Sequence, residues 1–361
     1  MNIDMKRRNM ALSVAALCIA CGAWLLVDGV PWHDACDVPQ TDSLRVTFRP
    51  IVVLPATPVK DQGRSPLCWL YAMQATIETE HLVQGDSVNL SPLYNARRYM
   101  ERLAIGCHLD PQHAVPSLRG MATMTLHLLD ADGAMPYDSY WQDRPLNMNA
   151  AMRRMATAAS RRAPLALTRR AMTGVADEML GYLPTHIYML GAEYSTRDFA
   201  QSVCLPLEWR ALTSVTHHPF YHDVVLELPD NRMGDAAYNV PIDVLMNRLV
   251  ASIRAGHPVC WEGDISEPGF DWPRGVADLP PHTTVTQRER QRQIELLRTT
   301  DDHCLCLTGL FRGSDGQLWF LAKNSWGTAN VRGGYMLLSW RYVRMKTLVA
   351  VVRDFFLSEP S

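Results

Sequence analysis

Charge of one dominant sign is missing from this chain. Lys and Arg total 35 against 37 Asp and Glu, a net charge of −2 over 361 residues. With no basic patch there is no electrostatic footprint for nucleic acid, so no nucleic-acid partner is expected. No internal repeat and no low-complexity tract is present. Metal-ligand spacing is missing too: Cys304 and Cys306 have no second pair, and His217 and His218 are adjacent. No metal and no cofactor are expected. The nine cysteines make no regular framework. Two, Cys18 and Cys21, lie in an N-terminal apolar run, and Cys304 and Cys306 fall on one strand face where they are poorly placed to bridge each other.

At 47% apolar and 20% charged residues, the chain can bury a large core. The N-terminus stands apart: Lys6-Arg7-Arg8 precedes an apolar run from Met10 to Val27. A positive segment followed by an apolar one reads as a bacterial export signal over residues 1–30. It fits cleavage near Cys21-Gly22-Ala23, lipidation of Cys21, or retention as a membrane anchor. The expected location is the cell envelope or the exterior, with membrane attachment only through this segment.

Chemistry concentrates in Pro58–Tyr71. Gln62 stands six residues before Cys68, and Trp69 follows directly. Leu70, Met73 and Ile77 recur at helical spacing, so Cys68 should open a helix. There the unpaired N–H groups and the helix dipole favour thiolate, the nucleophilic form. The Gln62 side-chain amide suits a developing oxyanion. A thiolate also needs a base, and the base an orienting group. Thr300-Asp-Asp-His303 leads into an apolar strand, Ser314-Asp315-Gly316 makes a turn, and a second strand returns to Asn324-Ser-Trp326-Gly327. Such a hairpin brings His303 and Asn324 together, with Trp326 covering their hydrogen bond.

Gln62, Cys68-Trp69, His303 and Asn324-Ser-Trp326-Gly327 occur in the order of papain-like cysteine peptidases, which the chain resembles. The separation of Cys68 from His303, 303 − 68 = 235 residues, exceeds the roughly 130–150 of papain and the cathepsins. It resembles the bleomycin hydrolase and aminopeptidase C branch, as do Ser214–Tyr221, Glu227–Asn231, Tyr238–Pro241, Gly256–Phe270 and Thr300–His303. The resemblance implies an α+β fold with a helical half, an antiparallel sheet half and a cleft between them. It implies one peptidase domain over residues 31–361 with an insertion at roughly 135–240. It also implies peptide or protein substrates, an aminopeptidase preference and a homo-oligomer. The matching roles are Cys68 nucleophile, His303 base, Asn324 orienting group and Gln62 oxyanion donor. Gly120, Met121, Asp302 and Trp326 would line the substrate cleft. Where cathepsins carry a second Cys and small residues before the nucleophile, this chain has Ser65, Pro66 and Leu67. Two other functions fit the same residues: a papain-like binding protein without catalysis, and an acyl transferase using the same triad.

Along the rest of the chain, Leu44–Val53 reads as a strand. Helices are expected to Gln84, over 92–102, 120–129, 148–170, 243–255 and on the surface at 284–297. Further strands are expected at 258–265 and after Gly333-Gly334, with Leu348–Phe356 closing the sheet. His217 and His218 read as loop histidines. Asp301 and Asp302 would favour an imidazolium at His303; the simpler reading, adopted here, is solvated acids at a strand start.

Overall fold

The chain divides at Arg45/Val46 into two units, and the computed structural model describes residues 46–110, 117–161, 163–189 and 191–354 of the second. The expected export signal over residues 1–30 and the C-terminal tail lie outside the described residues.

The helical half is built around α1 (Cys68–Val83). Trp69, Leu70, Met73 and Ile77 are fully buried, each burial of a large apolar side chain contributing roughly 1.5–3 kcal/mol. The helix is enclosed on its polar side as well, so its polar groups need partners. Gln74 Nε2 donates to Asn95 Oδ1 at 2.8 Å, and buried Glu78 accepts from the Leu90 N–H at 2.7 Å. Around it pack α2 (Pro92–Leu109), capped by Ser91, α3 (Ala122–Asp132), α4 (Met148–Ala159), α5 (Leu165–Leu180) and α6 (Thr196–Val203). The single helix expected over 148–170 is two helices. Pro164 lacks an N–H and serves as N-cap of α5, so the chain turns there.

Among the described residues, the sheet half has eleven strands. In chain order they are β1 (Phe48–Val53), then, after the small hairpin β2 (Ile187–Met189) and β3 (Ala192–Tyr194), β4 (Trp209–Thr213), β5 (His222–Val225), β6 (Ala236–Asn239) and β7 (Val259–Gly263). They continue with β8 (Phe270–Asp271), β9 (Val276–Ala277), β10 (His303–Gly313), β11 (Leu318–Lys323), β12 (Tyr335–Ser339) and β13 (Thr347–Arg353). Their order is β5-β6-β4-β13-β7-β10-β11-β12-β9-β8, with β1 also on β10. The expected antiparallel sheet is therefore mixed: β4–β6 and β9–β12 pair in parallel. Strand β13 does not close the sheet but lies inside it, between β4 and β7.

Alternation along β10 fixes which side each residue serves. Leu305 and Leu307 join the core beneath α7 (Ile242–Arg254), whereas Cys304 joins the core shared with α1. Helix α8 (Gln287–Glu295) is less exposed than its Gln- and Arg-rich sequence suggests. Arg290 is fully buried and donates to the carbonyls of Ser214 and Thr347. Helix α9 (Trp340–Lys346) connects β12 to β13.

Candidate active site

The loop before α1 sets the nucleophile. Pro66 and Leu67 precede Cys68; Leu67 is the N-cap and gives no side-chain capping bond, which leaves early helix N–H groups for the cleft. The departure from the cathepsin pattern at Ser65 has a local replacement. Ser65 Oγ donates to the Gln62 carbonyl at 2.7 Å, and Gln62 Nε2 donates to the Ser65 carbonyl at 2.7 Å. Gln62 Oε1 accepts from Ser325 Oγ at 2.6 Å, and the Gln62 N–H donates to the Ser325 carbonyl at 2.8 Å. Two hydrogen-bonded clasps thus hold the loop at the position of the cathepsin-pattern cysteine and tie it to the segment that carries Asn324.

Asn324 Oδ1 accepts from the Ser325 N–H at 2.7 Å, which orients its amide with oxygen toward His303. His303 Nε2 lies 2.8 Å from that oxygen and so carries the proton it donates, leaving Nδ1 for Cys68. Trp326 covers the imidazole at 4.7 Å between ring centroids, and the edges of Phe270 and Trp272 pack on it in turn. His303 and Asn324 are both buried.

The Cys68 thiol is held well below its ordinary range. The first cause is a hydrogen bond from the Cys304 thiol. Burial opposes it, and the hydrogen bond and charge of His303 act with it. Cys304 is itself buried and pushed far up, first by burial and then by its bond to Cys68, so it stays an S–H donor. Sequence reasoning missed this partner. The signal was present in the two-residue alternation, which sets Cys304 and Cys306 on the α1 face of β10.

The cleft wall expected at Gly120 and Met121 runs beside Trp69, whose indole N–H donates to the Leu118 carbonyl at 3.0 Å. Both residues are buried. Gly120 has no room for a side chain: a Cβ there would lie 2.8 Å from Met124 Sδ and 3.0 Å from the Trp69 ring. Met121 is the N-cap of α3. Asp302 is half-buried, with Oδ1 accepting from Thr300 Oγ1 at 3.0 Å, and burial raises its carboxyl.

Asp301 corrects the reading of solvated acids. It is buried and faces the fully buried Glu262 of β7; burial and the Asp230 charge push it up to about 7, and Glu262 is driven well above its usual range, first by burial and then by Asp301. Below about pH 7 that carboxyl is mostly protonated, so it is a weak source of charge for His303 there. His217 and His218 hydrogen-bond Glu227 and, for His217, Gln291. The three side chains of His217, His218 and Glu227 are close enough to suggest a metal. However, Gln291 Oε1 is fixed by the Thr216 N–H, so its amide donates to His217 Nδ1, and the proton sits on Nε2, the atom a metal would need.

No family model and no curated protein matches the sequence. Solved structures do. PepW from Lactobacillus rhamnosis HN001 superposes with a TM-score of 0.62 at 16% identity, over 85% of this chain and 82% of that one. Xylellain, a cysteine protease from Xylella fastidiosa, gives 0.46 at 17% identity, over 85% and 87%. Bromelain from Ananas comosus gives 0.39 at 12% identity, over 82% and 93%. In its helical half, its sheet half and their order along the chain, this protein has the fold of the papain-like cysteine peptidases.

Proposed function

We propose that the protein is a cysteine peptidase acting through a thioester acyl-enzyme. The observation that carries this is the relay of contacts from Cys68 to His303 to Asn324, with the thiol biased toward thiolate. The Cys68 thiolate attacks the peptide carbonyl. The carbonyl π electrons move onto oxygen, which the Cys68 backbone N–H and the remaining amide hydrogen of Gln62 stabilise. Imidazolium at His303 protonates the departing amine as the C–N bond breaks and the thioester remains. His303 then takes a proton from water, the hydroxide equivalent adds to the thioester, and collapse releases the acid and the thiolate. Asn324 keeps the imidazole in one tautomer throughout.

Aminopeptidase action, an exported location and a homo-oligomer belong to the same proposal, supported by the sequence resemblance. Gly120, Met121, Asp302 and Trp326 are proposed to contact substrate. The test is turnover of a peptide panel, each peptide with a free or an acetylated N-terminus. Wild-type protein should cleave the free peptides faster. Cys68→Ala should abolish turnover with an unchanged circular dichroism spectrum; retained turnover refutes the assignment.

A further inference from the structure

Four thiols gather where α1 meets the sheet. Strand β10 alternates, so Cys304 and Cys306 point the same way, and Cys306 stands directly across from Cys260 of β7 in the antiparallel register. These three are buried and all carry free thiols. Cys68 opens α1 above them, is only partly buried, and packs against the core that contains Cys260 and Cys304. Cys260 and Cys306 share a hydrogen-bond partner, Thr76 of α1. Cys304 instead bonds the Cys68 sulfur itself.

This contact has a chemical consequence beyond tuning the nucleophile. A disulfide needs its sulfurs about 2.05 Å apart, and sulfurs already in hydrogen-bond contact have only a short approach to make. Peroxides oxidise a thiolate to a sulfenic acid, and a sulfenic acid condenses with a neighbouring thiol. Cys68 meets the first requirement: it is held toward thiolate and opens on the cleft. Cys304 meets the second: it is shielded from an oxidant by burial, stays an S–H, and touches the sulfur that is oxidised. The difference in exposure fixes the order of events, Cys68 first and Cys304 second.

We infer that Cys68 and Cys304 form a reversible oxidation site, at which a peroxide joins the nucleophile to its own hydrogen-bond donor as a disulfide. The Cys68 thiolate attacks one peroxide oxygen and the O–O bond breaks. The sulfur, now Cys68–S–OH, has lost two electrons, and the second oxygen leaves as water or alcohol with the His303 proton. The Cys304 sulfur then attacks the Cys68 sulfur, the S–O bond breaks, and the Cys304 proton departs with the hydroxyl as water. Two thiols and one peroxide thus become a disulfide, water and a second water or an alcohol. The bridge removes the thiolate and also stops its further oxidation to the irreversible sulfinic and sulfonic acids, and a dithiol reductant restores both thiols. This is regulation of the proposed peptidase site; only the loss of turnover rests on that reading.

The test reads sulfur chemistry rather than turnover. Reduced, folded, full-length wild-type protein at low concentration is treated with excess hydrogen peroxide and alkylated with iodoacetamide, with and without dithiothreitol in between. Peptide mass spectrometry should find the Cys68 and Cys304 peptides joined and lighter by two hydrogens than their reduced sum. Dithiothreitol should return most of the Cys68 alkylation. Cys304→Ser keeps a hydrogen-bond donor but cannot bridge, so its Cys68 should advance to sulfinic and sulfonic acid, with recovered alkylation roughly fivefold lower than in wild type. A bridge from Cys68 to any other cysteine, oxidised wild-type protein without a Cys68 bridge, resistance of Cys68 to peroxide, or equal recovery in folded Cys304→Ser would overturn the inference. The wild-type cross-link decides the matter even where the Ser variant does not fold. Failure of the peptidase reading is seen separately, as absence of any peptide turnover by the fully reduced wild-type protein.

Discussion

Replacing Cys304 by Ala should make the nucleophile a weaker thiolate while leaving His303 and Asn324 in place. The Cys304 S–H is the foremost influence holding the Cys68 thiol down. A hydrogen bond to a charged group is worth roughly 1.5–3 kcal/mol net, and a thiol is a weak donor, so the lower end applies. About 1.4 kcal/mol is a factor of ten. At a pH below the Cys68 midpoint, the thiolate fraction should fall roughly tenfold in Cys304→Ala, and the greater nucleophilicity of each remaining thiolate offsets part of that, so the iodoacetamide alkylation rate should fall roughly threefold. Above the midpoint the order should reverse. A more basic thiolate is intrinsically more nucleophilic, and a Brønsted slope of about 0.4–0.5 gives a gain of about threefold for the same change. The two rate–pH curves should therefore cross. Cys304→Ser restores a donor and should move the profile back toward wild type. Stopped-flow alkylation, with Cys68→Ser protein as the blank for other thiols, reads both limbs. Superimposable wild-type and Ala profiles would refute the reasoning, as would a Ser profile displaced as far as the Ala one.

Asn324→Ala should lower peptide turnover by roughly 100-fold, since it leaves the His303 tautomer free. Its thermal midpoint should fall as well, because the substitution takes the acceptor from the buried His303 Nε2–H and the Ser325 N–H, a loss of roughly 1–3 kcal/mol for each stranded donor. Asp301 and Glu262 have raised folded-state carboxyls, so the folded protein binds more protons than the unfolded chain. Their contribution is fully present below the unfolded carboxylate range and is lost as pH rises through about 7 for Asp301; urea titrations should show Asp301→Asn losing less stability between pH 4.5 and 7.5 than wild type. Arg97 is almost fully buried and donates to Glu101, Asp177 and the Gly181 carbonyl, so Arg97→Ala should cost about 3–5 kcal/mol by chemical denaturation. Gly120→Ala should cost about 1–3 kcal/mol, because its methyl meets Met124 and Trp69 at 2.8 and 3.0 Å.

Local signals carried much of the fold. Helical spacing at Leu70, Met73 and Ile77 marked α1, and Ser314-Asp315-Gly316 marked the β10–β11 hairpin that sets His303 against Asn324. Pro164 also marked a break, but the Ala-, Met- and Arg-rich run around it read as one helix. The parallel pairs β4–β6 and β9–β12 were not legible, because each joins only two residue pairs and leaves no periodicity. Nor were the acids. Asp230, Glu262 and Asp301 look like ordinary polar residues in three separate segments, and only the packed sheet brings them to one point. Burial alters their chemistry, and burial of a charged residue is a tertiary property.

Strand β10 pairs locally with its hairpin neighbour β11, but also with β7 and with β1, which leave the chain far from it. Loop-closure entropy must be met before such distant pairings form, so they come late in folding. Cys68 depends on that strand for both His303 and Cys304. An unfinished chain, or one synthesised only as far as α1, carries an ordinary thiol with little reactivity. Assembly of the sheet and arming of the nucleophile are thus a single event, and the rate of thiol labelling during refolding becomes a clock for the closing of the whole domain.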